Sequence, residues 1–235
     1  MNKEHLKWHS PTIGKEMEMF VYGHSGYPVI IFPTTMGRYY ESTDFGLIDA
    51  AKWYLDEGKI KIYCVDSIDK QSWYNKDIHP AQRVKNHIWY DRFIQDEIVD
   101  PIRKNHGFDK VAVSGASFGG YQAANFAFRH PERVSHLFSM SGAFDVKSFL
   151  DGYYDENVYF NNPTDYLPDN NNPELWNMDI VLGVGEWDIC LEANQKMADI
   201  LNRKNINYWF DLRRWAKHDW PLWEEMFPHY LSRLV

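Results

Sequence analysis

Apolar or alternating runs of strand length recur eight times along the chain: His5 to His9, Glu16 to Tyr22, Pro28 to Pro33, Ile60 to Asp66, Lys110 to Gly115, Val134 to Met140, Asp179 to Val184 and Ile206 to Leu212. The first two flank Ser10-Pro11-Thr12-Ile13-Gly14, a hairpin-like turn, and Gly23-His24-Ser25-Gly26 links the second tightly to the third. The start of the sheet is therefore predicted to be antiparallel. From the third run onward each strand is followed by a segment of helical character: Phe45 to Glu57, Pro80 to Asn105, Phe118 to Arg129, Val146 to Leu150, Glu192 to Arg203 and Trp220 to Leu234. Strands alternating with helices predict an α/β fold, an eight-stranded, mostly parallel sheet with helices on both faces.

One stretch breaks the alternation. Asp151 to Pro173 is dense in Tyr, Phe, Asn and Pro, which suits irregular structure, and it is read as a compact insertion over the strand ends. Its rings either wall an apolar acyl pocket or pack on one another at the surface.

Composition narrows the function classes. With 235 residues, 44% of them hydrophobic, residues 1–235 suit one large α/β domain. A net charge of -8 and the lack of a Lys/Arg run argue against a nucleic-acid surface. Neither a leader-like start nor 18 uninterrupted apolar residues is present, so the expectation is a soluble, cytoplasmic protein with no membrane contact. The two cysteines, Cys64 and Cys190, lie in apolar or aromatic surroundings and are expected to stay free and behave as small hydrophobes. The ten histidines form no zinc-binding pattern, and no metal or cofactor is expected.

The chemistry is concentrated at Gly115-Ala116-Ser117-Phe118-Gly119, which follows the run Val111 to Val113 and precedes a helical segment ending at His130-Pro131. A serine on so sharp a strand-to-helix turn has its hydroxyl pushed clear of the backbone, and a Cβ at Gly115 or Gly119 would collide with neighbouring elements. Ser117 is the predicted nucleophile. A serine needs a base and a group that orients the base, and on this architecture they follow in the order Ser, Asp or Glu, His. Gly185-Glu186-Trp187-Asp188 follows the seventh strand and supplies the acid, with Asp188 preferred to Glu186. Lys217-His218-Asp219-Trp220 precedes the last helix and supplies His218, preferred to His229 within that helix. The oxyanion donors are expected to be the backbone N–H of Phe118 and that of either Thr34 or Thr35; Arg38 nearby either assists an anionic group or is an ordinary surface residue.

With these residues in place the chain resembles the α/β-hydrolase superfamily, and within it the putative-esterase family that includes esterase D, feruloyl esterases and the antigen 85 mycolyltransferases. Besides the serine turn, the resemblance rests on Ser72-Trp73-Tyr74-Asn75, Arg129-His130-Pro131-Glu132, Ser139-Met140-Ser141-Gly142 and His218-Asp219-Trp220-Pro221-Leu222-Trp223. It implies an α/β-hydrolase fold, a Ser117, Asp188, His218 triad acting on a small-molecule ester through an acyl-enzyme, and substrate contacts from Trp73, Tyr74 and Trp220. It leaves room for a homo-oligomer. Pro33-Thr34-Thr35 stands where many relatives have His-Gly or Asp-Gly, and Lys217 where a glycine often precedes the histidine. An acyltransferase using the same triad and a non-catalytic binding protein on the same fold are the alternative readings.

Overall fold

A computed structural model describes residues 1–235 apart from the side chain of His106. Its strands are β1 (Lys3–Ser10), β2 (Lys15–Tyr22), β3 (Tyr27–Phe32), β4 (Ile60–Val65), β5 (Val111–Ala116), β6 (Val134–Met140), β7 (Asp179–Trp187) and β8 (Trp209–Lys217). They form one sheet in the order β1-β2-β4-β3-β5-β6-β7-β8. β1 and β2 pair antiparallel, with Ser10 opposite Lys15 at the turn, and β2 joins β4 antiparallel. All pairings from β4 through β8 are parallel.

The central strands are mostly apolar because both faces of the sheet are covered. Successive side chains point to opposite faces, so Ile30 and Phe32 of β3 enter one core and Val29 and Ile31 the other. The first core lies under α4 (Pro80–Phe93), α5 (Asp100–His106), α6 (Phe118–Arg129) and α9 (Leu191–Arg203). The second lies under α2 (Leu47–Ala50), α3 (Lys52–Asp56) and α10 (Trp220–Leu231). Phe126 and Phe227 are buried on opposite faces, and each such ring contributes about 1.5–3 kcal/mol through its burial.

Several predicted elements differ in extent. Phe45 to Glu57 is not one helix but two short ones, α2 and α3, and a further short helix, α1 (Glu41–Asp44), precedes it, set off from α2 by Gly46 with its left-handed φ of 77°. The long Pro80 to Asn105 stretch contains a wide π-type segment, Ile94–Val99, between α4 and α5. Pro101 just beyond it has no N–H to close the regular ladder. Within the widened segment, Glu97 accepts hydrogen bonds from Trp8 Nε1, Ser10 Oγ and Thr12 N, which pins the β1–β2 hairpin to that helix.

Residues 151–173 hold α7 (Glu156–Tyr159) and α8 (Pro163–Tyr166), where irregular structure was expected. Local signals explain both helices: the Asp155 carboxylate caps Val158 N, and Pro163 sits in the first turn of α8. The segment packs along α6, where Tyr121 Oη donates to Asn161 O and Tyr166 Oη to Asn125 Oδ1.

Candidate active site

Ser117 stands between β5 and α6 with φ 56° and ψ −120°, a strained conformation for a residue with a side chain. Close backbone packing holds it there. A Cβ at Gly115 would meet Gly119 O at 2.3 Å, and one at Gly119 would meet the carbonyl oxygens of Phe32 and Pro33 at 2.5 Å. Both glycines are therefore needed for approach: the first turn of α6 lies directly on the end of β5 and on the loop that leaves β3.

β7 and β8 carry the other two groups. β7 runs to Trp187 and β8 to Lys217, well past the predicted ends, while Ile206 lies before β8 in the loop after α9. β8 is the sheet's edge, where Leu212, Arg214 and Trp215 are all exposed, so its apolar pattern fades before the strand ends. Asp188 and His218 consequently follow their strands immediately. His218 Nε2 is 2.9 Å from Ser117 Oγ, and His218 Nδ1 is 2.8 Å from Asp188 Oδ1. Glu186 instead lies within β7 and accepts from Trp215 N, and His229 is exposed on α10.

The buried Asp188 carboxylate accepts two further hydrogen bonds. Cys190 N donates to Oδ1 at 2.7 Å and Ser141 Oγ donates to Oδ2 at 2.6 Å. Ser141 is itself held by Trp223 Nε1 at 2.9 Å, and the Trp223 ring stands edge-on to His218 with centroids 5.1 Å apart. Burial alone would raise the Asp188 pKa, but hydrogen bonds from His218, Ser141 and Cys190 N hold it below the usual carboxylate value. Burial likewise works against a charged His218, yet its hydrogen bonds with Asp188 and Cys190 push it up to about 9.

The loop after β3 distinguishes between Thr34 and Thr35. Thr34 N donates to Glu41 Oε2 at 2.8 Å, and Thr34 Oγ1 to Glu41 Oε1 at 2.7 Å. Met36 N donates to Asp69 Oδ2 at 2.9 Å. The amide between them, Thr35 N, has no hydrogen-bond partner among the described residues, and neither does Phe118 N at the start of α6. Burial raises the Glu41 carboxyl and pushes that of Asp69 up to about 7, opposed in each case by the amide it holds.

The three residues expected to contact substrate occupy different environments. Trp73 is fully buried against His87 and Tyr121, so that expectation is corrected: its ring is core, closed off by α4 and α6. Tyr74 is half-buried, packs on the Phe118 and Phe149 rings, and donates to Thr35 Oγ1 at 3.1 Å. Trp220 is half-buried and stacks on Phe45 with centroids 4.7 Å apart. Arg38 is engaged by Asp66 and Glu18. Cys64 is a core residue as expected, whereas Cys190 is buried among the polar groups of the site. Glu41 and Asp69 were not anticipated; Ser141 and Trp223 were visible only as members of the Ser139-Met140-Ser141-Gly142 and His218–Trp223 motifs.

A family model described as putative esterase matches residues 10–234. No curated protein matches the chain. Among solved structures, an S-formylglutathione hydrolase from Staphylococcus aureus is similar at 15% identity and TM-score 0.78, covering 99% of this chain and 98% of that one. A ferulic acid esterase from Anaeromyces mucronatus is similar at 15% identity and TM-score 0.73, covering 98% and 89%. MPT51 of Mycobacterium tuberculosis is similar at 16% identity and TM-score 0.74, covering 100% and 98%. These neighbours share the α/β-hydrolase fold with this chain.

Proposed function

This chain belongs to the putative-esterase family and is a carboxylic ester hydrolase, and we propose that it works through Ser117 as nucleophile, His218 as general base and acid, and Asp188 as the group that orients the imidazole. The observation that carries the reading is the continuous hydrogen-bonded series from Ser117 Oγ through both nitrogens of His218 to Asp188. A serine hydroxyl is a weak nucleophile at neutral pH, so the proton must leave as the bond to carbon forms. Neutral His218 takes it at Nε2 while Asp188 accepts from Nδ1–H, which fixes the tautomer with the lone pair facing Ser117.

The attacking oxygen converts the ester carbonyl to a tetrahedral oxyanion. Phe118 N and Thr35 N receive that charge, one supplied by the helix start and the other by the loop that Glu41 and Asp69 hold on either side. His218 then gives its proton to the departing alcohol, leaving Ser117 acylated, and the same imidazole activates water to release the acid. Tyr74 and Phe149 pack on the Phe118 ring next to the serine, and Trp220 packs on Phe45 and on Trp223, the ring edge-on to His218, so aromatic side chains lie near the reacting groups. The names of structural neighbours, an S-formylglutathione hydrolase and a ferulic acid esterase, support acyl compounds as the substrate class.

The test is labelling with a fluorophosphonate probe alongside hydrolysis of nitrophenyl esters graded in chain length. Wild type should label stoichiometrically and turn over, while Ser117→Ala should do neither and His218→Ala should lose several orders of magnitude in kcat. A folded wild type that neither labels nor hydrolyses, or undiminished labelling of Ser117→Ala, refutes the reading.

A further inference from the structure

The catalytic proposal uses the backbone N–H of Cys190 but leaves its thiol without a task. That thiol lies within a compact set of metal-ligating groups: one ligand atom each from Asp188, Cys190 and His218, all within 4.8 Å of one another. Asp188 is 6% exposed and Cys190 9%, so both would be shielded ligands, and His218 lies at the more open side, facing Ser117. Three ligands of this mixed kind leave a fourth position for water, as in many zinc sites.

The structure assigns to this cluster a second role that rests on the catalytic reading above: we propose that Asp188, Cys190 and His218 form an inhibitory site for Zn2+ that switches the hydrolase off reversibly. The donor set selects the metal class. A thiolate with an imidazole suits zinc and its borderline neighbours, while Mg2+ and Ca2+ require oxygen ligands and gain little here. The carboxylate is already oriented by Ser141 and Trp223, an outer layer of the kind that holds ligands in place. Capture converts the Cys190 thiol to thiolate and releases its proton to solvent.

Coordination and catalysis exclude each other whichever nitrogen binds. Through Nε2, the metal consumes the lone pair that receives the Ser117 proton. Through Nδ1, the metal displaces Asp188 from that nitrogen and leaves the imidazole proton on Nε2, where no lone pair remains for Ser117. Either arrangement removes the base without altering the serine, so removal of the metal restores it.

The experiment titrates Zn2+ against nitrophenyl acetate hydrolysis by chelator-treated wild type and Cys190→Ser, each scored against its own metal-free rate, with Cys190→Ala as a second variant. Inhibition of wild type should be reversed by EDTA. The variants should need over about a hundredfold more Zn2+ for the same fractional inhibition, since loss of even an outer-shell partner typically costs about 10–100-fold in metal affinity. A second arm adds Co2+ to Ser117→Ala protein and reads the thiolate-to-cobalt charge-transfer band, which should be absent once Cys190 is replaced. Equal Zn2+ sensitivity of wild type and both variants, or Co2+ binding without a thiolate band, overturns the proposal. The cobalt arm needs no turnover, and fluorophosphonate labelling needs no metal, so failure of the metal site and failure of the triad are separately visible.

Discussion

Ser141 Oγ donates a 2.6 Å hydrogen bond to Asp188 Oδ2, the carboxylate oxygen that His218 does not use. Ser141 occupies a left-handed φ of 53° and is fully buried, so the chain holds a strained residue where a hydroxyl can brace the acid. Replacing it leaves one carboxylate oxygen buried beneath Trp223 without its donor. A hydrogen bond to a charged group contributes about 1.5–3 kcal/mol, so Ser141→Gly, which removes the hydroxyl and relieves the backbone, should lower kcat by about tenfold to a hundredfold. KM should move little. Steady-state kinetics check this, and an unchanged kcat in a folded variant would show that Asp188 is oriented without Ser141.

Glu41 should act at a greater remove. Its carboxylate accepts from both Thr34 N and Thr34 Oγ1, and the next residue presents the amide assigned to the oxyanion. Glutamine can keep its carbonyl on Thr34 N and donate to the Thr34 hydroxyl, so the informative change is Glu41→Ala, which removes both acceptors and leaves the loop free to shift. Removing an oxyanion donor outright costs about 10²–10³ in kcat; a displaced donor should cost less, on the order of tenfold. The measurement is kcat on a short-chain nitrophenyl ester, with fluorophosphonate labelling to show that Ser117 itself survives. A larger rise in KM than fall in kcat would place the loop in substrate binding instead.

These two residues also mark the limit of what a sequence discloses. The strand β5 and the turn at Ser117 were legible because an apolar run, two glycines and a serine are local signals that constrain one another. Asp188 and His218 were legible by order and by position after strands, although the strands end later than expected because β8 is an edge whose charged residues weaken the apolar pattern. Trp73 misled: it sits beside Tyr74 in a motif of the family, yet successive residues there face opposite ways, one into the core and one toward Thr35. Glu41 and Asp69 had no local signal at all, since their partners are chosen by how the loop after β3 folds back on α1 and on the turn after β4.

Activity should rise with pH over a range set by His218. On the proposed mechanism His218 must be neutral to accept the serine proton, and against the opposing effect of burial the folded site raises its pKa from 6.5 to about 9 through Asp188 and Cys190. The sign follows directly: below the raised pKa the imidazolium predominates, so kcat/KM should climb as pH increases from 6.5 toward 9 and then level off. Asp188→Asn removes the charge that holds the proton and should move the rise to lower pH, while cutting the plateau by about 10⁴-fold through loss of the correct tautomer. Profiles of kcat/KM for both proteins decide it, and a rise that stays in place in Asp188→Asn would assign it to another group.

Acid stability should depend on a histidine remote from the reacting atoms. His87 is wholly buried beneath α6, with Nε2 3.3 Å from Tyr121 Oη and 3.2 Å from Asn125 Nδ2. Burial lowers its pKa to about 3, an effect that nearby Asp91 offsets only in part and Arg129 reinforces. The unfolded chain binds a proton at this residue below about 6.5, whereas the folded protein does not until about 3. Its contribution to stability is therefore complete above 6.5 and declines as pH falls toward 3, by at most about 1.4 kcal/mol per pH unit. His87→Gln retains a donor and an acceptor but cannot titrate, so its urea-unfolding free energy should fall less than that of wild type between pH 7 and pH 4. Parallel curves for the two proteins across that interval would mean that the acid sensitivity of the fold resides elsewhere.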